Sequence, residues 1–130
     1  MLPRQYRLRR SQDFSRLRRE GKAFHSRLLL ISIAPNTLPH NRYGFVTSKA
    51  LGNAVTRNRA RRQLREVIRQ LHPRLQPGYD VVVVAKRAIV QQPSDEVART
   101  VNRLVHQAQL LTTSGEQDAT LDSPEDPEIL

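Results

Sequence analysis

Two short runs constrain this chain more than any other feature. Residues 81–84 are four consecutive valines, and residues 28–33 are apolar on both alternating faces apart from Ser32. Side chains of a strand point alternately to its two sides, so a strand apolar on both must be covered on both. The chain therefore has to build a sheet with a layer on each side. Residues 42–48 read as a further strand, with Tyr43, Phe45 and Thr47 on one face and Gly44, Val46 and Ser48 on the other. Residues 22–34 read as extended chain, in one strand or two. Between 42–48 and 79–85 stands a long helical stretch, and a strand–helix–strand passage of that length predicts parallel pairing of the two strands.

Two further helices supply layers. Ser11 is an N-cap candidate for a helix to Arg19, with Asp13 in its first turn and Gly21 just past its end. Phe14 and Leu17 form its inward side, Arg16 and Arg19 its wet side. Pro93 opens a last helix reaching residue 111, where Asp95 and Glu96 suit the positive end of the dipole. Its apolar stripe is Val97, Val101, Leu104, Val105, Ala108 and Leu111. The order helix, strands, helix, strand, helix predicts an α+β fold: one small sandwich whose mainly four-stranded sheet is packed by helices. A length of 130 residues suits a single domain, placed at residues 1–111. Residues 112–130 lack periodicity and read as a disordered acidic tail.

The central helix, residues 51–71 with the turn leading into it, carries the functional signal. At about 100° per residue, Ala60, Leu64, Val67, Ile68 and Leu71 fall in one arc of roughly 100°. Arg61, Arg62, Arg65 and Arg69 fall in a second arc beside it, with Asn58 among them, while Glu66 lies outside that arc. Asn53 is the favoured cap and Thr56 the alternative. The whole chain shares the bias. Its formal net charge is +10, yet all 22 Lys and Arg lie at or before Arg103, against six acids there, leaving the body at +16. The remaining six acids put the tail at −6. Of the 22 cations 19 are arginine, whose planar donors suit phosphate better than lysine's point charge does. The pattern predicts polyanion binding. With about five phosphates engaged, a log–log salt slope of roughly −3 to −5 is expected.

Other chemistry finds little support. The body's acids, Asp13, Glu20, Glu66, Asp80, Asp95 and Glu96, are scattered, whereas a two-metal nuclease needs carboxylates converging on ions about 4 Å apart. His25, His40, His72 and His106 lack metal-ligand spacing. Zero cysteine removes disulfides and thiolate sites, and fits a reducing compartment. No run reaches the roughly 18 apolar residues of a membrane span, and no secretory signal is visible. Tyr43-Gly44-Phe45-Val46 matches part of an RNA-recognition-motif signature, but Ser48 stands where an aromatic belongs. A helix-turn-helix would need a helix just before the arginine one, where strands stand instead. A noncatalytic RNA-associated structural protein and, more weakly, a protein-only nuclease remain the alternatives on these grounds.

Gly52-Asn53-Ala54-Val55-x-Arg57-Asn58-Arg59-x-x-Arg62, preceded by Ser48-Lys49, resembles the signature of the bacterial ribonuclease P protein subunit. Arg7-Leu8-Arg9 before Asp13-Phe14, Gly44 and Val46 in the preceding strand, and Tyr79-Asp80 before the valines extend the resemblance over residues 3–111. It implies an α+β protein with a left-handed β-α-β crossover that joins a catalytic RNA in the endoribonuclease maturing tRNA 5′ ends. The RNA and its Mg2+ would perform hydrolysis, with no catalytic side chain, metal site or cofactor in the protein. Asn53, Arg57, Asn58, Arg59, Arg61, Arg62, Arg65 and Arg69 would bind the catalytic RNA. Phe14, Arg18, Lys49, Lys86 and Arg87 would bind the 5′ leader of precursor tRNA. Arg18 and Ser32 stand where the family often places aromatics, which implies leader binding that leans more on charge. Catalytic RNA and precursor tRNA are the implied partners, with no membrane and no obligate protein partner, in the cytoplasm.

Overall fold

The computed structural model describes residues 3–8 and 10–111. Its elements run α1 (Ser11–Glu20), β1 (Lys22–His25), β2 (Leu29–Pro35), β3 (Arg42–Val46), α2 (Ala54–Leu71), β4 (Tyr79–Ala85) and α3 (Ser94–Gln107). The strands form one sheet in the order β1-β2-β4-β3. β3 and β4 pair in parallel with α2 as their connection, as the strand–helix–strand passage predicts, while β1–β2 and β2–β4 are antiparallel. The predicted acidic tail and Arg9 lie outside the described residues.

Alternation along the strands sorts the layers. Ile31 and Ile33 of β2, Val81 and Val83 of β4 and Tyr43 of β3 join Leu64, Ile68, Val101 and Leu104 of the helices in the main core. Ala34 and Val82, on the opposite face, meet Leu17 of α1 and Leu8 in a smaller core. Each of the valine, leucine and isoleucine side chains contributes on the order of 1.5–3 kcal/mol by leaving water. Residues 7–8 run along β3, where the Leu8 N–H donates to Tyr43 O at 2.7 Å. Tyr6 stands edge-on to His40, and the Tyr43 hydroxyl meets His72 Nδ1 at 2.7 Å.

α2 follows its sequence closely. Its buried residues are Ala60, Leu64, Val67, Ile68 and Leu71, the set placed in the apolar arc. Asn53 caps it, with Oδ1 accepting from Thr56 N–H at 3.0 Å. The preceding Gly52 has φ +133°, a region that side chains with a Cβ rarely enter.

Three boundaries differ from expectation. Ser11 is the first helical residue of α1 and not its cap; Arg10 holds that position, without a side-chain bond. β3 ends at Val46, and a 3₁₀ turn, Lys49–Leu51, brings Leu51 into the core before α2 begins. α3 stops at Gln107 because the chain turns through Gln109, at φ +59°, so that Leu110 can reach the core. Leu111 then bridges to Leu75. Among the described residues no helix is long and apolar enough to cross a membrane.

Candidate nucleic-acid interface

The arginines of α2 divide into groups with different surroundings. Arg61 leans toward β3, donating to Thr47 Oγ1 at 2.7 Å and to Asn58 Oδ1 at 2.9 Å. Arg65 lies over the Phe45 ring at 5.8 Å from its centroid, a cation–π contact. Burial, reinforced by Arg61 and Arg7, pulls the Arg65 pKa down, which marks a crowd of like charges. Arg59 and Arg62 are exposed and, with Arg65, line an open groove toward the start of α3. Arg57 falls on the apolar side of the helix and is half-buried; its buried Nε has no hydrogen-bond partner among the described residues.

Arg69 departs from the expected stripe. A helical wheel sets Glu66 outside the arginine arc, yet Arg69 Nε and Nη2 reach its carboxylate at 3.0 and 2.6 Å. Those bonds, with a third from Gln70 at 3.0 Å, hold the Glu66 carboxyl down at about 2. The last turn of the stripe is therefore internally neutralised. Spacing of three residues was the available signal; the arc arithmetic missed it because both side chains are long enough to reach across the helix surface.

A second cationic region lies on the α1 face. β-sheet register places His25, Leu30, Val84 and Val46 side by side in one row across all four strands. Leu30, Val46 and Val84 are half-buried; Phe14, like Val46 and Val84, packs against the smaller core, and its ring lies over Gly44. The same end of the sheet carries Lys49, in the turn after β3, and Lys86 and Arg87 after β4, and these two turns touch. Arg18 is exposed one helical turn beyond Phe14. So the structure gathers Lys49, Lys86 and Arg87 at one end of the sheet, and sets Phe14 on the α1 face of the same sheet over Gly44. Lys86 also has a local task, its Nζ donating to Ser26 O at 2.7 Å. Ser32 stands in the neighbouring row, with Ala23, Val82 and Gly44, and its Oγ approaches Leu17 O at 3.5 Å beneath the end of α1. Row membership depends on register between strands, which sequence spacing did not reveal; hence His25, Leu30, Val46 and Val84 were missed.

At the opposite end of this face sits Asp80, 0% exposed. Arg42 donates to it twice, at 2.9 and 2.7 Å, Asn36 once at 2.9 Å, and Arg16 forms an ion pair with it. Burial alone would raise its pKa, but the bonds from Arg42 and Asn36 and the charges of Arg42 and Arg16 outweigh it, and the net direction is down. Arg16, placed on the wet side of the first helix by periodicity, is instead turned into the protein. Among the described residues no three His, Asp or Glu side chains come together as metal ligands.

A small α+β sandwich with a densely cationic helix flank, and a second group of cations at the ends of β3 and β4, has the charge layout of a scaffold suited to polyanions. The family model described as Ribonuclease P matches residues 2–109. The ribonuclease P protein component of Roseiflexus sp. (strain RS-1) is 38% identical over 120 residues, spanning 90% of this chain and 98% of the relative. That of Chloroflexus aurantiacus (strain ATCC 29366 / DSM 635 / J-10-fl) is 43% identical over 109 residues, spanning 83% and 81%. Among solved structures, the RNase P protein of Staphylococcus aureus superposes with a TM-score of 0.77 at 25% identity, over 82% of this chain and 98% of that one. The Thermotoga maritima protein gives 0.70 at 26% identity, over 77% and 96%. The chain belongs to the ribonuclease P protein family, protein components of the endoribonuclease that matures the 5′ ends of tRNA.

Proposed function

We propose that the chain uses its two cationic regions for two different RNAs. α2 and its leading turn anchor it to the catalytic RNA of ribonuclease P through Asn53, Arg57, Asn58, Arg59, Arg61, Arg62 and Arg65, with Arg69 contributing less while it is paired to Glu66. The α1-face cleft holds the 5′ leader of precursor tRNA through Phe14, Arg18, Lys49, Lys86 and Arg87. An unbroken helix does not enter the deep, narrow major groove of A-form RNA, so α2 meets phosphates and irregular surfaces. In the cleft a half-buried ring and an aliphatic floor offer stacking and apolar contact to bases, and the cations at the strand ends meet phosphates. The observation that carries this reading is the group of cations at one sheet end beside the Phe14 face, which lies on the opposite side of the sheet from α2.

The hydrolytic step is assigned to the RNA with its Mg2+, and the protein lowers the Mg2+ demand by offsetting phosphate repulsion. No obligate protein partner is needed for this role, and its place is the cytoplasm. The test is precursor tRNA cleavage at low Mg2+ with protein alone, catalytic RNA alone, and both. Cleavage is expected only with RNA present and stronger with the protein added. Cleavage by protein alone overturns the assignment. Arg59→Glu with Arg62→Glu is the preferred variant for the anchor, because both side chains are exposed, whereas Arg61 and Arg65 also pack against β3 and the residue following it.

A further inference from the structure

We infer that Arg16, through buried Asp80, is a positioning residue that fixes the roll of α1 and so holds Phe14 over the cleft. This inference rests on the leader-cleft reading. α1 has 10 residues, too few to be stable by itself in water, and only Leu17 of it is buried. Leu17 meets Leu8, Ala34 and Val82 in the smaller core. One buried side chain fixes where a helix lies but leaves rotation about its axis free.

Three further contacts restrict that rotation. Phe14 and Arg16 project roughly 200° apart around the helix. The Phe14 ring covers Gly44 so closely that a Cβ there would meet its Cζ at 2.7 Å. Arg16 pairs with Asp80 toward the other end of the face, and its Nη1 also donates to Pro35 O at 3.3 Å. Arg42, the other arginine on Asp80, stands 3.7 Å from Asp13 of the same helix. α1 is thus pinned at Leu17 and braced on both sides. With the Arg16 brace released, rotation about Leu17 carries the ring away from Gly44, while α2, on the opposite face, keeps its contacts.

Arg16 is the side chain to remove, because Asp80 then keeps both bonds from Arg42 and the one from Asn36. Removing Asp80 would instead leave two arginines uncompensated, a change that breaks folds. The experiment assembles the full chain with its catalytic RNA and measures affinity for precursor tRNA and for the same tRNA without its leader. Wild type, Arg16→Ala, Phe14→Ala and the double variant are compared. A base–aromatic stack corresponds to about 5- to 150-fold in affinity. Arg16→Ala is expected to lose about fivefold of the leader-dependent affinity, none of the leaderless affinity, and none of the affinity for catalytic RNA. The double variant should be no weaker than Phe14→Ala alone, because the two act through one ring. Full leader dependence in Arg16→Ala beside a loss in Phe14→Ala overturns the inference and leaves the cleft reading standing. Losses that multiply in the double variant also overturn it. An intact leader dependence in Phe14→Ala removes both readings together. Should Arg16→Ala fail to fold, Arg16→Lys carries the same comparison, keeping the charge while losing the paired donors.

Discussion

Glu66→Gln tests whether the last turn of α2 faces RNA. The substitution keeps the side chain's size and removes the one negative charge on a helix with six arginines. Both partners of the pair are half exposed, at 48% and 50%, so the melting temperature should not move. Arg69, whose Nε and Nη2 are both occupied by Glu66, then faces a neutral amide with one acceptor oxygen, against which a charged phosphate competes well. Each neutralised phosphate contributes about −0.7 to −0.9 to the log–log salt slope. Five engaged arginines give about −3.5 to −4.5, and a sixth steepens this by about 0.7–0.9. Across a fourfold rise from about 50 to 200 mM salt, the variant should therefore lose roughly threefold more affinity than the wild type. The assay is a titration of the catalytic RNA with protein at several monovalent salt concentrations and constant Mg2+. The Glu66 carboxyl, at about 2, stays ionised throughout the usual range, so pH does not confound the comparison. An unchanged slope with an unchanged fold would show that the anchor ends before Arg69.

Gly44→Ala should displace Phe14 without deleting it. The new Cβ would stand 2.7 and 2.8 Å from ring atoms that ordinarily keep about 3.5–4.0 Å, so the ring must withdraw by about 1 Å. Leader-dependent affinity should fall while catalytic RNA binding holds, as comparison of leadered and leaderless tRNA would reveal. Asn53→Ala removes the cap on Thr56 N–H and should cost about 1 kcal/mol, or roughly 4 °C in a thermal melt. Burial, with a smaller effect from His40, lowers the His72 pKa, so protons bind the unfolded chain more readily there. Stability should be level above histidine's ordinary value of 6.5 and decline as pH falls below it, and His72→Gln should remove that part of the decline in melts taken across pH.

Local periodicity carried far in this chain. The buried set of α2 and its Asn53 cap came from spacing within one helix, and the parallel pairing of β3 and β4 from the length of the passage between them. The strand order was not legible: nothing local says that β4 lies between β2 and β3. Without that order the row from His25 to Val46 cannot be assembled, although each member's alternation is plain. Arg16 illustrates the same limit, since its partner Asp80 stands 64 residues away and a helical wheel treats any arginine as a solvent group. Arg69 failed for a different reason: a wheel represents side chains as points, and a long Arg and Glu reach across roughly 60° of it.

The strand order also has a consequence for synthesis. β4, one of the two interior strands, is made last, after β1 and β2 and after β3. The β1–β2 hairpin can close as it emerges, but β3 has no strand beside it in the sheet until β4 arrives. Roughly 30 residues separate Val46 from Tyr79, which takes on the order of seconds at about 5–20 residues per second. During that interval α2 has left the ribosome with its apolar arc undocked and its arginines already on display. A nascent chain stopped short of residue 85 would keep β2 and β3 as open edges, so commitment to the fold waits on the four valines.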